Sequence, residues 1–260
     1  MTPMLPIFVS HGAPTLILED VPATRFLRSL GDSMAPPRAI LAVSAHWLTA
    51  TPAVSGTVQP ETIHDFYGFP RQLYELRYPA PGAPDVARRV VEVAKAAGVD
   101  VEVDPAQGLD HGAWVPAMMA WPAANIPILQ LAVQPEADAG HHYALGRALA
   151  PLAAEGVLVM GSGSATHNLR TLERGRHEVV ADWARAYDDW LAARIEAGDV
   201  EALLDWRRRA PNAQMAHPTD EHFLPLFVAL GAAGEHAKGR ALHRSFMHGA
   251  LSMSSFAFGA

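Results

Sequence analysis

The chain has 260 residues, half of them hydrophobic and 18% charged, with a formal net charge of -7 at pH 7 and no cysteine. That length and balance suit one substantial buried core and argue against long disordered tracts. The lack of cysteine excludes disulfides, thiolate metal sites and a cysteine nucleophile, and a mildly acidic chain without a basic run excludes a nucleic-acid footprint.

Leu5 to Ser10 (LPIFVS) is the first buried-strand candidate, and Arg38 to Ser44 (RAILAVS) is a stronger second. Tyr78 to Pro84 (YPAPGAP) reads as a loop. The segment from Pro84 to Gly98 then carries Val86, Val90, Val93 and Ala97 at helical spacing, with Gly98 where a C-terminal glycine cap falls. Pro127 to Val133 and Val157 to Gly161 are further short apolar strands bounded by Pro or Gly. Asp138 to Glu155 and His177 to Ala197 read as helices. Thr219 to Leu230 is a helix that Pro225 must kink or delay. Ala241 to His248 and Ser252 to Phe258 look like two strands around a turn at Gly249. This alternation predicts an α/β fold, residues 1–260 as a single domain, with a central mostly parallel or mixed sheet flanked by helices. No apolar stretch approaches the roughly 20 residues of a membrane span, and the first ten residues lack the features of a secretory signal, so no membrane association and a cytoplasmic location are expected.

Histidine is the outlier, at 13 residues. Without cysteine, a transition-metal site here must use imidazole and carboxylate. His11, His46 and His167 each follow a strand candidate. In α/β folds the loops beyond the carboxyl ends of parallel strands converge, so three histidines placed alike are expected to meet and to gather a metal. His111, flanked by Gly108 and Gly112, sits in a tight loop where Asp110 could orient its ring, or else caps a helix starting near Ala113. His64 lies in an aromatic loop (IHDFYGFP) that either walls a substrate pocket or simply packs. Beside it in kind, His222 follows Glu221, and either could be a last metal ligand. On a helix the two point about 100° apart, so only one is expected to serve. His141, His142, His177, His236, His243 and His248 are read mostly as solvated. Gly161-Ser162-Gly163-Ser164 lacks the context of a nucleophile elbow or phosphate loop and is read as a flexible turn carrying His167 to the sheet edge.

Seven motifs occur in order: SHGAP (Ser10 to Pro14), SAHW (Ser44 to Trp47), TIHDFYGFP (Thr62 to Pro70), YPAPG (Tyr78 to Gly82), GLDHGAW (Gly108 to Trp114), THNLR (Thr166 to Arg170) and HPTDEHFLPL (His217 to Leu226). Together, over residues 7 to about 256, they resemble the DOPA-dioxygenase branch of the class III extradiol ring-cleaving dioxygenases. The resemblance implies a mononuclear non-haem Fe(II) enzyme, with Zn²⁺ found in some relatives, that opens a catechol ring beside its hydroxyl pair using O₂. It implies His11, His46 and His222 as metal ligands, His167 as acid/base or a further ligand, and His111 as a histidine either behind the ligands or on the substrate side. Better-known class III members complete the site with Glu, whereas here His222 stands at that position with Glu221 next to it. A Zn²⁺ hydrolase on the same scaffold and a non-catalytic metal-binding protein are the alternatives. The sequence leaves the oligomeric state open.

Overall fold

The computed structural model describes residues 4–175 and 179–259, so His177 and the expected start of its helix lie outside the described residues. Ten strands are present among them: β1 (Ile7–Ser10), β2 (Ala39–Leu48), β3 (Ala53–Ser55), β4 (Glu102–Asp104), β5 (Ile128–Val133), β6 (Val157–Gly163), β7 (Lys238–His243), β8 (Phe246–Met247), β9 (Leu251–Ser252) and β10 (Ser255–Gly259). Eight form one mixed sheet in the order β4-β3-β5-β2-β6-β1-β10-β7, and β8 and β9 make a small separate hairpin. The centre, β5-β2-β6-β1, is parallel, while β10 and β7 add an antiparallel margin beyond β1.

The sheet is apolar on both faces, as parallel strands covered by helices must be. Along β2, Leu41 and Val43 join the core under the helices Pro84–Ala96, Ala139–Leu149, Asp182–Ala197 and Leu224–Ala232. Ile40 and Ala42 face the opposite core, with the helices Pro22–Leu30 and His111–Ala120. That two-residue alternation is the pleat of a strand. Helix Leu224–Ala232 is buried along its whole length, which explains a sequence without a polar face. Pro225 delays this helix rather than kinking it. Asp220 closes a turn by accepting from the Phe223 amide at 2.8 Å, and proline occupies the first helical turn, where its missing N–H costs nothing.

Gly98 has a φ of +80° just past the Pro84–Ala96 helix, and the Val99 amide closes back to Ala94 O at 2.9 Å, the glycine termination the sequence predicts. The helix expected over Asp138 to Glu155 is divided at Pro151 into Ala139–Leu149 and Pro151–Ala154. Gly161 and Gly163 are not a flexible turn: both lie inside β6, paired with Phe8 and Ser10 of β1. Their lack of a side chain serves space instead. A Cβ on Gly163 would meet His222 O at 2.0 Å, and one on Gly161 would meet Pro225 O at 2.3 Å. The chain around His222 therefore rests directly on the end of β6.

Candidate metal centre

Parallel register aligns the ends that matter. Ser10 pairs with Gly163, and Ser44 with Ser162, so β1, β2 and β6 finish at one sheet edge. His11 follows β1 and its amide donates to Gly163 O at 3.0 Å. His46 lies on β2 where pairing with β5 is interrupted between Val43 and Leu48, which turns this stretch out of the regular ladder. His222 is fixed by Ser164 N–H donating to its carbonyl at 2.8 Å, and His167 by its own amide donating to Ala216 O at 2.8 Å.

The side chains converge. The Nε2 atoms of His11 and His46 are 3.0 Å apart, and one ligand atom from each of His11, His46 and His222 lies within 4.8 Å of the others. Two nitrogens bound at about 2.1 Å to one ion, at right angles, stand about 3.0 Å apart, so the spacing suits a shared cation. The outer nitrogens are committed elsewhere. Ser162 donates its hydroxyl to Gly112 O, which leaves its oxygen to accept from His11 Nδ1 at 3.0 Å. Glu221 accepts from His222 Nδ1 at 2.9 Å. In both rings the proton is drawn to Nδ1 and the Nε2 lone pair is left for a metal, a role outer carboxylates and hydroxyls commonly play.

Burial, then the mutual repulsion of the imidazoles, holds His11 and His222 well below the usual histidine range. His46 is pushed down to about 3, first by burial and then by His111. His167 is also lowered by burial, with Glu221 opposing. All four rings are neutral at pH 7, the form a metal binds.

His111 opens the helix His111–Ala120, but it does not cap it. Asp110 is the cap, its carboxylate accepting from Ala113 N at 3.2 Å while Ser44 and Gln130 donate to it at 2.6 and 2.8 Å. Burial pushes the Asp110 carboxyl up despite those bonds. Asp110 therefore does not orient the His111 ring; Asp65 does, accepting from His111 Nδ1 at 2.8 Å and from its amide at 2.9 Å. Asp65 also faces His46 Nδ1 at 3.5 Å. Burial alone would raise the Asp65 carboxyl, but the bonds from His111 outweigh it and its pKa is lowered. The loop is held over the helix by Ile63 N–H to Leu109 O at 2.7 Å and Trp114 Nε1–H to Ile63 O at 3.0 Å.

Five of the six histidines singled out from sequence thus meet: His11, His46, His111, His167 and His222 all line one cavity of about 290 Å³. His64 does not reach it. Its Nε2 donates to Leu76 O at 3.2 Å, and it is Phe66 and Phe69 of the same loop that form part of the wall. His142, expected at a solvated surface, is fully buried, and His248 lines the cavity. Sequence reasoning missed Asp65, although the His64-Asp65 pair inside an aromatic loop was the available signal.

The family model described as the catalytic LigB subunit of aromatic ring-opening dioxygenase matches residues 6–259. The 4,5-DOPA dioxygenase extradiol of Beta vulgaris is 45% identical over 255 residues, covering 96% of this chain and 95% of the relative. The protein of the same name from Escherichia coli K12 is 38% identical, over 89% of this chain and 86% of the relative. The crystal structure of uncharacterized protein JW3007 from Escherichia coli K12 superposes with a TM-score of 0.83 at 32% identity, covering 98% of this chain and all of that one.

Proposed function

The chain belongs to the LigB family of aromatic ring-opening dioxygenases and is a catechol ring-cleaving enzyme that uses O₂, and from that premise we propose that its metal ligands are His11, His46 and His222 and its working metal Fe(II). The observation that carries the ligand set is the convergence of three neutral imidazoles whose Nδ1 atoms are tied or turned away, with the His11 and His46 Nε2 atoms 3.0 Å apart. Zn²⁺ suits the same nitrogens but has no redox chemistry to offer O₂, so it is an occupant rather than the working metal. The family favours neither the zinc hydrolase nor the non-catalytic binder.

When bound, Fe(II) supplies the electron transfer that lets a catecholate react with O₂. The protein's own residues do the rest. Three imidazoles add no negative charge to the centre, so its full positive charge draws the ionised catechol oxygens. His167 stacks against His222 and reaches Glu221 with Nδ1 at 3.9 Å; it is the base for a catechol hydroxyl and returns the proton as the ring opens. His111, whose Nδ1–H is held by Asp65, is left with an Nε2 lone pair that accepts a proton or hydrogen bond from the substrate. Phe66 and Phe69 flank the ring and keep water off, and His64 backs Phe66 with ring centroids 5.6 Å apart, which gives it a supporting part in substrate binding. DOPA, which the relatives' names give, is the first substrate to try. Anaerobic loading with Fe(II), then DOPA or another catechol and O₂, should give oxygen uptake and a yellow ring-opened product. No uptake with any catechol at full iron loading would reject the proposal.

A further inference from the structure

Beyond its histidines the cavity is lined mostly by apolar side chains. Its volume of about 290 Å³ is at the small end of the roughly 300–1,000 Å³ usual for small-molecule sites, room for one ring and a short substituent. Beside the five clustered histidines the lining includes Pro14, Phe66, Phe69, Leu169, Leu172 and Leu251 together with Ser164 and His248, and among the described residues no Lys, Arg, Asp or Glu lines the space. Asp65 and Glu221, the carboxylates grouped with the histidines, are committed to His111 and His222. Leu169 both lines the cavity and is 63% exposed, so the apolar surface continues to the rim where a substituent would leave.

A buried ammonium or carboxylate without an opposite charge is strongly disfavoured, whereas each buried methylene strengthens binding about four-fold. Resting on the dioxygenase reading above, we infer that this site is built for catechols whose ring substituent is uncharged and apolar, such as a short alkyl or alkenyl chain. A zwitterionic amino-acid side chain is the poorer fit, because it must be left in water at the rim.

The test compares 4-propylcatechol with DOPA on Fe(II)-loaded protein, by kcat/KM from oxygen uptake and by anaerobic calorimetric titration. The expected result is a preference of ten-fold or more for 4-propylcatechol in both. Equal values, or a preference for DOPA, would overturn the inference. Binding that favours 4-propylcatechol without turnover of either would support the inference while rejecting the dioxygenase reading, so the two fail separately. Leu169→Arg, at an exposed position that tolerates charge, should raise kcat/KM for 3,4-dihydroxyphenylpropionate relative to 4-propylcatechol several-fold. An unmoved ratio would show that the substituent does not meet this wall.

Discussion

The imidazoles of His167 and His222 stack face to face, with ring centroids 3.4 Å apart and planes within 11° of parallel. Both Nδ1 atoms turn toward the same Glu221 Oε1, at 3.9 and 2.9 Å. On the ligand set proposed above, His167 lies against a ligand and acts on the substrate's proton rather than on the metal. His167→Ala should therefore lower kcat by about 10²–10⁴-fold, the usual contribution of a general acid–base, while iron content stays near one per chain. Metal analysis and steady-state kinetics on the same preparation decide it. Loss of most of the iron would make His167 a fourth ligand.

His222 and Glu221 are separable by the same measurements. Removing His222 deletes a nitrogen from the centre, so His222→Ala should retain almost no iron after dialysis. Removing Glu221 leaves the nitrogen but frees its ring, so Glu221→Ala should still load, with affinity weakened about 10–100-fold. Competition with a chelator measures both. The reverse ranking would transfer the ligand role to Glu221.

Asp65→Asn tests the positioning of His111. The amide keeps the shape of the bridge between the His111 amide and ring but loses the charge that draws the His111 proton to Nδ1. A drop in kcat of about 10–100-fold is expected, with KM for catechol and the melting temperature changing little. Unchanged turnover would mean that His111 acts without this carboxylate.

What sequence revealed and what it concealed divide along physical lines. His11, His46 and His167 were legible because parallel strands must end at one edge, and β1, β2 and β6 are neighbours there. Asp65 was marked only by its place beside His64, since its partner depends on the loop after Thr62 folding over a helix some 46 residues later. Strands β3 and β4, with three residues each, are too short to show a period. The helix Pro22–Leu30 lacked a marked cap, having no side-chain bond at its start. Glycine in β6 looked like flexibility because sequence shows which backbone is permissive, not which neighbour needs the space.

That space gives a fourth prediction. In Gly163→Ala the new Cβ would lie 2.0 Å from His222 O, a backbone atom that cannot rotate away. The His222 segment must retreat, which breaks the bond from Ser164 N–H and pulls one nitrogen from the centre. A loss of about 1–3 kcal/mol of stability, typical of overpacking, should accompany weak iron retention. Full iron loading with a normal melting temperature would show that the contact is slack.

Acid sensitivity should come partly from two buried histidines that do not line the cavity. Burial lowers His142 to about 4 and His217 to about 3. In His142 the geometry reinforces burial: Nδ1 donates to Asp138 O at 2.8 Å, and Nε2 accepts from the Gln134 amide at 3.2 Å, so a second proton would set N–H against N–H. In His217, Nε2 donates to Ala165 O at 2.9 Å inside a cage of Tyr187, Trp206 and Phe223. Unfolded, both titrate near 6.5. The folded values are lower, so between about pH 6 and pH 4 the unfolded chain binds more protons and stability falls with pH. Each ring contributes about 1.4 kcal/mol per pH unit in that window and nothing well above it. Urea unfolding at several pH values, in one metal state, should show this slope. His217→Gln removes one titrating ring, so its slope should be shallower by about 1.4 kcal/mol per pH unit even though its stability at pH 7.5 is lower. An identical slope in the variant would mean that His217 is protonated in the fold after all.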